Sequence, residues 1–184
     1  MELLRYVLHA LGVGFLIINI HAFVQFGRFL KLRSSALLTW PGRRPPFYRL
    51  FLAVGALLSV LIVYKLVALR LRPVDVFGES MMVVYYIWAL PLSLKIGRGF
   101  YEDGIWVEGG FIPYSHIGGL RWREEEQLTL VVVYRMRTFA RRLIVPETYY
   151  GAARRLLRDK MSTHDIQFPE KPLDLGAHDE RDDV

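Results

Sequence analysis

No cysteine occurs among the 184 residues, so disulfides, thiolate metal sites and thiol nucleophiles are excluded from the outset. Acidic residues are missing over a long interval: after Glu2 the next is Asp75. Metal and phosphate motifs are missing as well. The five histidines, His9, His21, His116, His164 and His178, have no zinc-ligand spacing. Gly97-x-Gly99 and Gly109-Gly110 lack the Lys-Ser/Thr and the strand–turn–helix setting of a phosphate loop. Glu124, Glu125 and Glu126 are adjacent, so their carboxylates diverge, and they read as a solvated turn rather than an acid–base pair. The expectation is a non-enzyme with no catalytic residue, no metal and no cofactor.

What the chain does contain is apolar sequence. Three runs, at 7–24, 50–69 and 76–94, carry few ionisable groups, and each approaches the roughly 20 helical residues that cross about 30 Å of hydrocarbon. Mean hydropathy is nevertheless only +0.24, because the charges are segregated rather than scarce. In the second run the only cation is Lys65, about a turn from the end, where it can snorkel to the headgroups. Glu79 lies near the start of the third, close enough to an interface to be solvated, and Pro91 near its end. A cleaved signal peptide is disfavoured for the first run, since only Arg5 precedes it as a cation and no Ala-x-Ala site closes it.

Charge asymmetry sets an orientation. Arg28, Lys31, Arg33, Arg43, Arg44 and Arg49 crowd the connection between the first two runs, against Arg5, Arg70 and Arg72 on the other side. The positive-inside rule then puts the N-terminus outside and the long connection and C-terminal region in the cytoplasm. The net charge of +6 owes much to these topogenic cations, so nucleic acid is not an expected partner. The connection at 25–49 reads equally as a helix lying in the headgroup layer and as a basic loop anchored by Trp40.

Polar residues inside the runs are few. His9 and His21, the only cofactor-ligand candidates for a haem or pigment, are twelve positions apart, or about 18 Å of helix rise, so they cannot share one metal. Three spans provide no inverted repeat and no set of inward carboxylates for transport. Two pairs of small residues, Ala10 with Gly14 and Gly55 with Ser59, permit close helix approach within the chain or to a partner.

From Gly97 the texture becomes β-type. Ile105 to Glu108 reads as a strand, Gly109-Gly110 as its turn and Phe111-Ile112 as the return; Ile117 to Arg123, Leu128 to Tyr134 and Arg141 to Val145 read as three more strands. Pro146 opens a helix to about Met161, with Tyr149, Tyr150, Ala153, Leu156 and Leu157 near one face and Arg154, Arg155 and Arg158 near another. The residues 163–184 are acid-rich and read as a disordered tail.

Tyr101, Gly104-Ile105, Ile112-Pro113-Tyr114-Ser115-His116-Ile117, Trp122 and Val145-Pro146 together resemble the small bacterial PH-like domains of the YcxB-like kind, with Tyr114 where Trp is usual. The resemblance covers about a third of the chain. It implies an α+β fold, a bent antiparallel sheet closed by a C-terminal helix, and is nearly silent on activity. The domain limits are 1–95 for the membrane region and 97–162 for the PH-like domain.

Arg135, Arg137, Arg141 and Arg142, near one hairpin tip, are the candidates for lipid or partner contact. The resulting expectation is a multi-pass protein of the bacterial cytoplasmic membrane with a cytoplasmic domain. That domain scaffolds a partner, as an accessory subunit of a larger membrane complex; the alternative is sensing of anionic membrane lipids. Other membrane subunits and lipids are the expected partners, and no small-molecule substrate is evident.

Overall fold

The computed structural model describes residues 2–124, 127–135, 140–163 and 166, and the chain divides into two compact units, Met1–Gly97 and Arg98–Val184. The tail read as disordered, 163–184, lies outside the described residues except at Thr163 and Ile166.

The first unit is helical. Helix α1, Glu2–Leu32, is 31 residues long and outruns the apolar stretch. Nothing between Val24 and Leu32 breaks a helix, and α1 ends in a 3-10 turn, Arg33–Ser35, where the Ser35 hydroxyl donates to the Leu32 carbonyl at 2.9 Å. Strand β1, Ala36–Pro41, follows. The 25–49 connection is therefore helical to its 3-10 turn, extended through β1, and helical again from Tyr48. Helix α2, Tyr48–Val67, begins after Phe47, whose φ of 61° turns the chain sharply. Helix α3, Phe77–Val84, continues through a π-helical turn, Tyr85–Ala89, into helix α4, Leu90–Lys95. Pro91 explains the wide turn. A proline ring collides with the carbonyl four residues back and supplies no N–H, and one turn of wider pitch just before it relieves the collision.

Three helices are long and apolar enough to cross a membrane: Tyr6–Ser35, Tyr48–Val67 and Pro73–Lys95. Glycine sets how closely α1 and α3 approach. A Cβ at Gly12 would sit 2.8 Å from the Gly78 Cα, and one at Gly78 would collide with the Leu8 carbonyl oxygen. On α2, Gly55 accommodates Tyr86 and Ile87, so the expected Gly55–Ser59 pair serves the chain's own packing, whereas Ala10 is exposed and Gly14 meets nothing within 4 Å. Phe15 packs on Tyr85 and Tyr86 at 5.3 and 6.0 Å between ring centroids.

Polar contacts also cross these helices. Asn19, 3% exposed, donates through Nδ2 to the Met81 carbonyl at 2.9 Å. Lys65 Nζ lies 2.6 Å from Glu79 Oε1, and the Glu79 residue is 4% exposed. Both sequence expectations for this pair are corrected. Glu79 is not solvated at an interface, and Lys65 is directed inward to the carboxylate, because a charge flanked by apolar helices is held best by an opposite one.

In the second unit, β2 (Gly97–Tyr101), β3 (Gly104–Val107) and β4 (Gly110–Pro113) form one antiparallel meander. A second consists of β5 (Ile117–Glu124), β6 (Leu128–Tyr134) and β7 (Ala140–Ile144). The single bent sheet expected from sequence is thus two small sheets. Strand β2 is an addition, since its glycines hide the strand pattern. The β3–β4 turn is also shifted by one residue: Val107 pairs with Gly110, leaving Glu108-Gly109 as the two-residue loop, with Gly109 at φ 88°. Helix α5, Glu147–Ser162, follows Pro146, which is extended at ψ 144° and so precedes the helix rather than opening it.

Phe100, Tyr101, Ile105, Ile112, Ile117, Leu130, Val132 and Leu143 are fully buried, and Ala153 and Leu157 are the buried residues of α5. The Tyr114 hydroxyl donates to the Tyr101 carbonyl at 3.0 Å, and Lys160 of α5 lies over the Tyr114 ring at 5.3 Å. Burial pushes the Tyr101 phenol up from 10.0 to about 12. The unfolded chain ionises first, so the stability due to this group is complete below pH 10 and declines between pH 10 and 12 at about 1.4 kcal/mol per pH unit. Thermal melts of wild type and Tyr101→Phe from pH 9 to 12 check this: the variant loses that part of the alkaline slope, and equal slopes would refute it.

Candidate functional site

The period of a β-strand decides where the arginines go. Arg141 pairs with Val132 and Arg142 with Val131, so these neighbours occupy opposite faces of the sheet. Arg142 shares its row with Arg121, which also pairs with Val131, and Arg123 lies two residues along the same face. All three are exposed. Arg141 runs beside the β3–β4 turn, its guanidinium 3.6 Å from where a Gly109 Cβ would be, and the Glu108 amide donates to the Arg142 carbonyl at 3.1 Å. Arg135 is exposed just past β6, and Arg137 lies outside the described residues. Of the four arginines expected at one tip, Arg141 and Arg142 are therefore divided between two faces.

A different set of arginines does share a concavity. Between β5 and α5 lies a groove of about 560 Å³ lined by Leu120, Trp122, Gly151, Arg154, Arg155, Leu157, Arg158 and Met161. Leu120 and Trp122 are two residues apart on β5 and so point the same way, toward α5. Trp122 is half-buried, with its ring edge-on to Tyr150 at 5.0 Å. On α5, Arg154 and Arg158 are one turn apart, and Gly151 precedes Arg154 and Arg155 by about one turn. A Cβ at Gly151 meets nothing within 4 Å, so the mouth of the groove is open at that position. The Arg155 Nε donates to the Gly151 carbonyl at 3.3 Å, holding that guanidinium against its own helix.

Floor and rim differ in character: Leu120, Trp122, Leu157 and Met161 are apolar, while three exposed guanidiniums flank them. Among the described residues none of Arg154, Arg155 and Arg158 is in an ion pair. Among the described residues the lining contains no Ser, Thr, His, Asp, Glu or Lys. The groove suits a ligand segment that pairs apolar groups with carboxylates or phosphates.

The two candidate histidines of α1 do not converge. His21 is exposed on α1, while His9 is half-buried with its ring 6.3 Å from that of Phe77. Among the described residues no group of three or more His, Asp or Glu side chains could hold a metal. Sequence reasoning missed the groove because Arg154, Arg155 and Arg158 read only as one face of a helix and Trp122 only as a motif residue on a strand. The available signal was the arginine stripe on α5 beside a helix-interior glycine. Comparison with family models, with characterised proteins and with solved structures finds no match.

Proposed function

We propose that this chain is a non-catalytic, membrane-anchored docking subunit of a bacterial cytoplasmic membrane, with its N-terminus outside and a PH-like domain in the cytoplasm. The three apolar helices hold the domain at the bilayer, and its α5–β5 groove receives an acid-bearing, partly apolar segment of a partner subunit. The observation that carries this reading is the groove itself, apolar at its floor and lined by three arginines. The orientation follows from the six cations between the first two spans against three on the other side.

A second reading, sensing of anionic lipid, is favoured by a separate feature, the exposed Arg121, Arg123 and Arg142 on one sheet face. The two are separable by charge reversal in the full chain. With R154E/R155E/R158E the docking reading expects loss of partner subunits on mild extraction and no change in lipid response. With R121E/R142E the lipid reading expects anionic nanodiscs to stop protecting β5 to β7 from hydrogen exchange. Retention of partners by the first variant contradicts the docking function.

A further inference from the structure

We infer that the acidic segment 168–184 of this same chain occupies the α5–β5 groove and must be displaced before a partner docks, an inference that rests on reading the groove as a docking site. Charge complementarity is the first ground. The segment holds Glu170, Asp174, Asp179, Glu180, Asp182 and Asp183 against Lys171 and Arg181, and the groove is lined by Arg154, Arg155 and Arg158. These arginines are in no ion pair among the described residues, so the groove's cations are available to carboxylates.

Apolar complementarity is the second ground. Leu173, Asp174 and Leu175 alternate, so in extended backbone both leucines face one way and the carboxylate the other. Pro169 and Pro172 favour extended over helical backbone for the residues beside them. Leucines directed to Trp122 and Leu120 with Asp174 toward the arginines match the floor and rim of the groove.

Reach is the third. Gly151 and Met161 mark the ends of the groove along α5, ten residues or about 15 Å of helix rise, which five extended residues cover at about 3.3 Å each. The segment starts just beyond α5, which ends at Ser162, and has seventeen residues. Ile166, between the two, is 4% exposed, so the chain is packed there rather than released to solvent. A tethered segment acts at a millimolar effective concentration, so even a weak contact shields the groove and lowers the affinity for an external ligand about ten-fold.

The test exploits the absence of cysteine. Ala177→Cys in the full chain takes a single nitroxide label, and the indole N–H signal of Trp122 reports its proximity. The inference expects strong broadening of that signal, relieved by 0.5 M salt, where the screening length is about half that at 0.1 M, and by R154E/R155E/R158E. Unchanged intensity, or broadening indifferent to both treatments, overturns it. A second arm uses a fluorescent peptide of residues 167–184 added to a full chain whose six tail acids are converted to Asn or Gln. Binding about ten-fold tighter than to wild type supports the inference. Binding equal in both chains overturns the tail contact and leaves the docking reading standing; binding to neither, without broadening, removes both.

Discussion

Lys65→Leu is expected to destabilise the helical unit by about 3–5 kcal/mol, the cost of stranding a buried charge. Lys65 Nζ is the partner 2.6 Å from Glu79 Oε1, and Glu79 Oε2 has no hydrogen-bond partner among the described residues. Without the ammonium, a carboxylate 4% exposed among apolar helices has no compensation. The reverse change is milder. Glu79→Leu leaves an ammonium whose side chain is 25% exposed and can turn outward along its flexible stem. Lys65→Leu with Glu79→Leu together removes both charges and restores most of the loss, since replacing a buried ion pair by apolar groups is often neutral or stabilising. Equilibrium unfolding in mixed detergent micelles measures the three variants. Equal, small effects for both single changes would show that the pair contributes little to the fold.

Gly78→Leu has the second large effect. A Cβ at Gly78 would collide with the Leu8 carbonyl oxygen, and both partners are backbone, so no rotamer change relieves the clash. Helix α1 must move away from α3, loosening the packing of Gly12 on Gly78 and of Phe15 on Tyr85 and Tyr86 together with the Asn19–Met81 hydrogen bond. Overpacking costs about 1–3 kcal/mol where side chains can adjust, and this site is at or beyond the upper end. Gly14→Leu is the control: with nothing within 4 Å, it leaves the stability of the isolated chain unchanged. A loss for Gly14→Leu as large as for Gly78→Leu would place the α1–α3 contact on the wrong face of α1. Co-purification of the Gly14→Leu chain with other subunits reads a different quantity, namely whether the exposed face of Ala10 and Gly14 serves assembly.

Much of this fold is visible in the sequence because its signals are local. Runs of apolar residues long enough to cross a bilayer identify all three membrane-length helices. Alternation and turn chemistry identify β3 through β7, and Pro146 marks the entry to α5. What local pattern does not reveal is pairing between elements. Lys65 and Glu79 stand on different helices, and each alone reads as a charge near a membrane surface. Asn19 gains its meaning from the Met81 carbonyl, which also accepts from the Tyr85 amide where α3 passes into the π-helical turn. The arginines show both limits. Period-two alternation is enough to place Arg141 and Arg142 on opposite faces, yet only the docking of α5 against β5 assembles Arg154, Arg155 and Arg158 around Trp122. A sheet edge and a helix stripe look unremarkable separately, and their juxtaposition creates the groove.

The central claim is that the groove holds a partner at the membrane. Its most direct test is extraction of the full chain from native membranes in mild detergent, with sizing and mass spectrometry of wild type beside R154E/R155E/R158E. The account predicts that wild type migrates with a defined set of larger subunits and that the variant, extracted in equal yield, migrates without them. A wild-type chain that migrates alone, or a variant that retains the same subunits, would contradict it.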